Sequence, residues 1–152
     1  MLSRFRNKKI PDIYLFISHF LDHFIILVFA KAAYDAGQDI GLTYGETIQL
    51  ATLGFILFGV ASPIAARVAD IFSRSITMVV FHFGVGISSI IVSFSHTAFH
   101  LLLGLSSLGF FAAIFHPVGI AMLLEKKERV GLRLGINGLF GNMGVASAPL
   151  IT

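Results

Sequence analysis

Apolar residues in this chain come in long unbroken runs, and the polar residues fall in the short gaps between them. The runs cover 13–33, 47–67, 76–94, 98–124 and 134–152. Crossing ~30 Å of hydrocarbon takes about 20 helical residues, so each run is long enough to span a bilayer. In lipid every backbone N–H and C=O must be paired within its own segment, and helices do this. The strict alternation that a transmembrane barrel requires is absent. Five membrane-spanning helices with short links are therefore predicted, packed as antiparallel neighbours, with residues 1–12 forming a basic tail ahead of the first.

Composition supports this. Hydrophobic residues make up 56% of the 152, and charged ones only 12%, too few to cover a soluble surface of this size. There is no cysteine, which removes disulfides and thiolate metal sites from consideration. The net charge of +3 does not point to nucleic acid, because the basic residues flank apolar spans and have no polar domain to work from.

Their placement instead sets the topology. Arg4, Arg6, Lys8 and Lys9 precede span one, Arg67 and Arg74 flank the second link, and Lys126, Lys127, Arg129 and Arg133 follow span four. Threading the chain alternately puts all of these on one side, with Lys31 the exception and Asp35, Asp39 and Glu46 on the other. The positive-inside rule then predicts a cytoplasmic N-terminus. A cleavable signal peptide is the rival reading of the first thirty or so residues. Its apolar core would be broken by His19, Asp22 and His23, and four more spans follow.

Polar residues inside the spans are the candidates for chemistry. Span one reads FISHFLDHF, and the three- and four-residue spacings put His19, Asp22 and His23 on one helical face. A carboxylate near the bilayer centre costs roughly 2.5–3.5 kcal/mol on insertion scales, so it faces a polar interior or a partner. The functional reading is a proton or substrate site; the plain one is a hydrogen-bonded cluster that holds span one in place. Two histidines and a carboxylate could also bind zinc, but no metalloenzyme spacing accompanies them, and neither metal nor cofactor is expected.

Span four contains FHPVG. His116 shares a face with Gly109, Ala112, Ala113 and Gly119, the small-residue pattern of a close helix contact. Pro117 removes the hydrogen bond to the Ala113 carbonyl and should kink the helix there. His116 or a water is expected to satisfy the freed carbonyl. In the second link, Asp70 and Arg74 stand four apart and can pair. Span five carries Gly135, Gly138, Gly141 and Gly144 at three-residue intervals, then Pro149, a stripe read as a helix-packing surface. Asn137 and Asn142 are expected to bond across helices. His82 is left undecided, and His96 and His100 fall in an outer loop.

Taken together, the chain resembles the first five of the twelve helices of the major facilitator superfamily, and within it the fosmidomycin-resistance type of efflux protein. The loop motif G-x-x-x-D-R-x-G-R-R corresponds to Ala66 through Ser75. Asp70 and Arg74 match it, whereas Ala66, Ile71, Ser73 and Ser75 depart from it. His19 with Asp22, and Phe115-His116-Pro117-Val118-Gly119, fit that type's patterns in spans one and four. Gly144 with Ala148-Pro149 approximates an antiporter motif in span five.

The resemblance implies an all-helical membrane bundle of inverted three-helix repeats. Residues 13–152 would be a transporter half truncated at span five, with a C-terminal half missing. It implies no enzyme but a proton-coupled exporter of a small molecule in the cell membrane. Asp22, His19, His23 and His116 would line its pathway on opposing walls, Pro117 would kink span four, and Asp70 with Arg74 would gate the cytoplasmic side. The alternatives are a small multi-pass scaffold and a membrane-embedded metal- or histidine-dependent protein.

Overall fold

A computed structural model describes residues 11–151, so Arg4, Arg6, Lys8 and Lys9 of the basic tail, and Thr152, lie outside the described residues. Six α-helices follow in order: α1 (Asp12–Asp39), α2 (Tyr44–Ile71), α3 (Arg74–Ser93), α4 (Ala98–Ala112), α5 (Phe115–Leu124) and α6 (Val130–Ser147). A 3-10 turn, Ala148–Leu150, closes the series, and no strand occurs among the described residues. Among the described residues four helical stretches are long and apolar enough to cross a membrane: α1, α2, α3, and Ala98–Leu124, which comprises α4 and α5. The fifth place is also helical. There α6 is diluted by glycines, Arg133, Asn137 and Asn142, and it packs chiefly along α1.

Local chemistry explains where the helices start and stop. Beyond the apolar run, α1 continues to Asp39, because the outer residues are helix-compatible even where they are polar. It ends at Gly41, which takes the left-handed turn (φ 79°). The Gly41 N–H bonds the Gln38 carbonyl, and the Leu42 N–H bonds the Gly37 carbonyl, the paired bonds of a Schellman terminus. Helix α2 opens on a capping box: Thr43 Oγ1 accepts from the Glu46 N–H, and the Glu46 carboxylate accepts from the Thr43 N–H at 2.8 Å. Ser73 and Thr97 cap α3 and α4 more simply, each side chain accepting from one backbone N–H, that of Ile76 and of His100.

The helices pack as two linked groups, α1 with α6 and α4 between α2 and α3. Backbones come closest where α2 crosses α4. A Cβ on Gly54 would lie 2.6 Å from the Leu105 carbonyl oxygen, and one on Gly109 would meet the Gly54 carbonyl, so only glycine fits at either position. The main core gathers Leu15, Met78, Phe81, Phe115, Val118 and Leu123. Phe55, Phe83 and Ile90 point outward and are exposed, a distribution suited to lipid.

Candidate functional site

The α1 face that carries His19, Asp22 and His23 turns toward α5 and α6. His19 stacks on the Phe115 ring (centroids 4.9 Å apart, 22° between planes). Its Nδ1 lies 2.8 Å from the Asn137 backbone oxygen on α6. A carbonyl only accepts, so His19 Nδ1 carries the hydrogen and Nε2 is left bare. His23 Nε2 lies 3.1 Å from that bare nitrogen and donates to it. Gly141 makes room for the His19 ring, since a Cβ there would lie 2.7 Å from Cε1.

His116 enters from α5 and stands edge-on to His19, His23 and Phe58, with centroids 5.5, 5.4 and 6.1 Å away. Its Nδ1 lies 3.5 Å from Asp22 Oδ2, too far for a good hydrogen bond. The two helices therefore meet at these side chains, and His116 and Asp22 are neighbours within one cluster. Asp22 is 1% exposed, and neither carboxylate oxygen has a hydrogen-bond partner; His116 Nδ1 has none either. His19, His23 and His116 each offer a ligand nitrogen, all within 4.8 Å of one another. Spacing along α1 shows only two of these rings, because the third arrives from a separate span.

The break beside His116 falls at Ala113–Ile114, between α4 and α5, as Pro117 requires. Its freed carbonyl is satisfied differently from the sequence expectation: Ser62 Oγ on α2 donates to the Ala113 oxygen at 3.2 Å. Neither His116 nor a water is needed for this bond. Ser62 directly precedes Pro63, which lies inside α2.

At the end of the bundle where α1, α3 and α6 begin, charges are paired. Arg74 Nη2 bonds Asp70 Oδ1 at 2.9 Å, as its spacing suggests, and Nη1 bonds Glu125 Oε1 at 2.9 Å. Ser73, a departure from the loop motif, serves as the cap of α3. Asp12 receives Arg133 through Nε (2.6 Å) and Nη2 (2.9 Å), and Lys126 Nζ at 2.7 Å. Sequence spacing does not reveal Glu125 or Asp12, because their partners are 51 and 121 positions away in the chain.

The span-five stripe is only partly a packing surface. Gly141 faces His19, and Gly144 faces the Phe20 backbone, but a Cβ on Gly138 or Gly135 would have nothing within 4 Å. A three-residue step falls short of a 3.6-residue turn by about 60°, so four such glycines fan around half the helix. Pro149 is exposed and sits in the 3-10 turn, where it ends the α-helix; Ala148 beside it is buried. Asn142 is exposed, and the bond across helices comes from the Asn137 backbone. His82, undecided from sequence, joins α3 to α1 through the Tyr14 and Ser18 hydroxyls at 3.1 and 3.2 Å.

Comparison with known proteins finds a family model, described as Major Facilitator Superfamily, that matches residues 15–152. No curated protein and no solved structure matches the chain.

Proposed function

Since the chain belongs to the Major Facilitator Superfamily, whose members are transporters, we propose that it serves proton-coupled export of a small molecule by alternating access, in the manner of the fosmidomycin-resistance type. The observation that carries this reading is Asp22, a fully buried carboxylate without a hydrogen-bond partner, set against an imidazole from another span. A buried ionisable group in a membrane segment is tolerated where it works. Asp22 takes up and releases the proton, His19 and His23 tune it, and His116 contacts the substrate or relays the proton.

Alternating access needs parts that lock and parts that bend. Arg74 holds Asp70 at the end of α2 and Glu125 after α5 together, which suits a latch that closes the cytoplasmic side in one conformation. The α4–α5 break, bonded to α2 only through Ser62 at that carbonyl, suits a joint. In this reading the basic ends of the helices lie in the cytoplasm and the cell membrane holds the bundle.

The test uses everted vesicles containing the transporter, an imposed pH gradient and fosmidomycin as the probe. The wild type should accumulate the probe, while Asp22→Asn and His116→Ala should each lose gradient-driven accumulation with membrane insertion unchanged. Undiminished accumulation by Asp22→Asn would remove the proton role. Loss of expression without loss of specific activity in His116→Ala would reduce that residue to a structural one.

A further inference from the structure

We propose that His19, His23 and His116 together bind one divalent transition-metal ion of the zinc class, with the Asp22 carboxylate beside it. The assignment rests on the geometry of the cluster and shares its residues with the proposed proton pathway, so it is read by metal content and not by transport.

The three ligand nitrogens already lie within 4.8 Å of one another. The His19 and His23 Nε2 atoms are 3.1 Å apart, close to the roughly 3.3 Å between two nitrogens on a tetrahedral zinc with Zn–N of about 2.0–2.1 Å. To ligate, His23 gives up the hydrogen on Nε2 and takes the tautomer protonated at Nδ1. Rotation of the half-buried His116 ring would bring its nitrogen in from within 4.8 Å of the other two to complete the set. His19 is pre-oriented for this role: its Nδ1–H is held by the Asn137 carbonyl at 2.8 Å, leaving Nε2 directed at the other rings. Such an outer bond is the usual way a protein fixes the tautomer and angle of a ligating histidine.

Asp22 supplies the second, independent observation. Its carboxylate is buried, 3.5 Å from His116 Nδ1, and both oxygens lack hydrogen-bond partners. A buried charge is ordinarily paired or bound to a metal. Among the described residues no lysine or arginine bonds it, and a divalent ion between the rings would provide the missing positive charge. A set of three imidazoles and a single carboxylate suits zinc and its neighbours such as cobalt and nickel, and is a poor set for magnesium or calcium, which take oxygen ligands.

The test is equilibrium dialysis of the full chain, purified in detergent without a histidine tag, stripped with chelator and offered Zn²⁺ alone. One zinc per chain is expected, undisturbed by excess Mg²⁺, with cobalt substitution producing the visible bands of a tetrahedral nitrogen–oxygen site. Affinity should fall at least about tenfold in His23→Gln and in His116→Gln, and stay unchanged in His96→Gln and His100→Gln. Should the glutamine variants aggregate, His116→Cys answers instead: retained binding with a new thiolate-to-cobalt band supports the site. No bound zinc overturns the proposal, as does zinc that ignores these substitutions or cobalt bound to His116→Cys without the new band. Because the readout is metal content, a failure here leaves the proton role of Asp22 to its own transport assay.

Discussion

Two of the four aspartates of helix α1, Asp12 and Asp22, have opposite surroundings. Asp12, in the first turn, accepts three hydrogen bonds, from Arg133 Nε and Nη2 and from Lys126 Nζ, while the Lys126 backbone oxygen accepts from Arg133 Nη1. Asp22, about three turns deeper, is more completely buried and has no hydrogen bond at all. A carboxylate whose partners are all present ties helices together. In the proposed mechanism, one buried without them is held ready for a proton that comes and goes. The same helix thus supplies an anchor at its end and, in the proposed mechanism, a site at its middle.

That contrast can be broken in order of expected effect. Asp22→Asn should cut gradient-driven transport roughly a hundredfold, the lower range for losing a proton-transfer group, while thermal unfolding in detergent stays near the wild type. Asp12→Asn should do the reverse. It leaves Arg133, which is buried, without its carboxylate and, discounted for the quarter-exposed Asp12 side chain, should cost about 2 kcal/mol of stability, read as a lowered unfolding midpoint. A functional defect in Asp12→Asn at full stability would erase the distinction.

Smaller effects sharpen the surroundings of the site. Gly141→Ala forces a Cβ against the His19 ring and should destabilise by about 2 kcal/mol, with chemical shifts moving at His19. Ser62→Ala strips the Ala113 carbonyl of its donor and should cost about 1 kcal/mol. Gly138→Ala should be neutral or gain up to about 1 kcal/mol, since alanine is the better helix former and the space is open. A Gly138→Ala variant as damaged as Gly141→Ala would mean that the face of α6 toward α1 has been misassigned.

Much of this was legible in the residues, and the rest was hidden for a physical reason. Run length and polarity located the helices, and the spacing of His19, Asp22 and His23 put them on one face, because both are local properties of a helix. Pro117 announced its break, since the missing N–H is covalent. The donor to Ala113 was not legible, because Ser62 lies on another helix and any nearby hydroxyl could have served. Arg133 looked like one more basic residue of a cytoplasmic link until folding set it on Asp12, 121 positions away. The glycine stripe misled at Gly138 because a count of small residues does not say which side of α6 meets α1.

The central claim is that Asp22, and not Asp12, is the carboxyl of α1 that gains and loses a proton in the working protein. Infrared difference spectroscopy of the reconstituted protein, taken across a downward pH step, observes this directly through the stretch of a protonated carboxyl group. The account predicts a band that persists in Asp12→Asn and disappears in Asp22→Asn. A band that survives Asp22→Asn unchanged would contradict it.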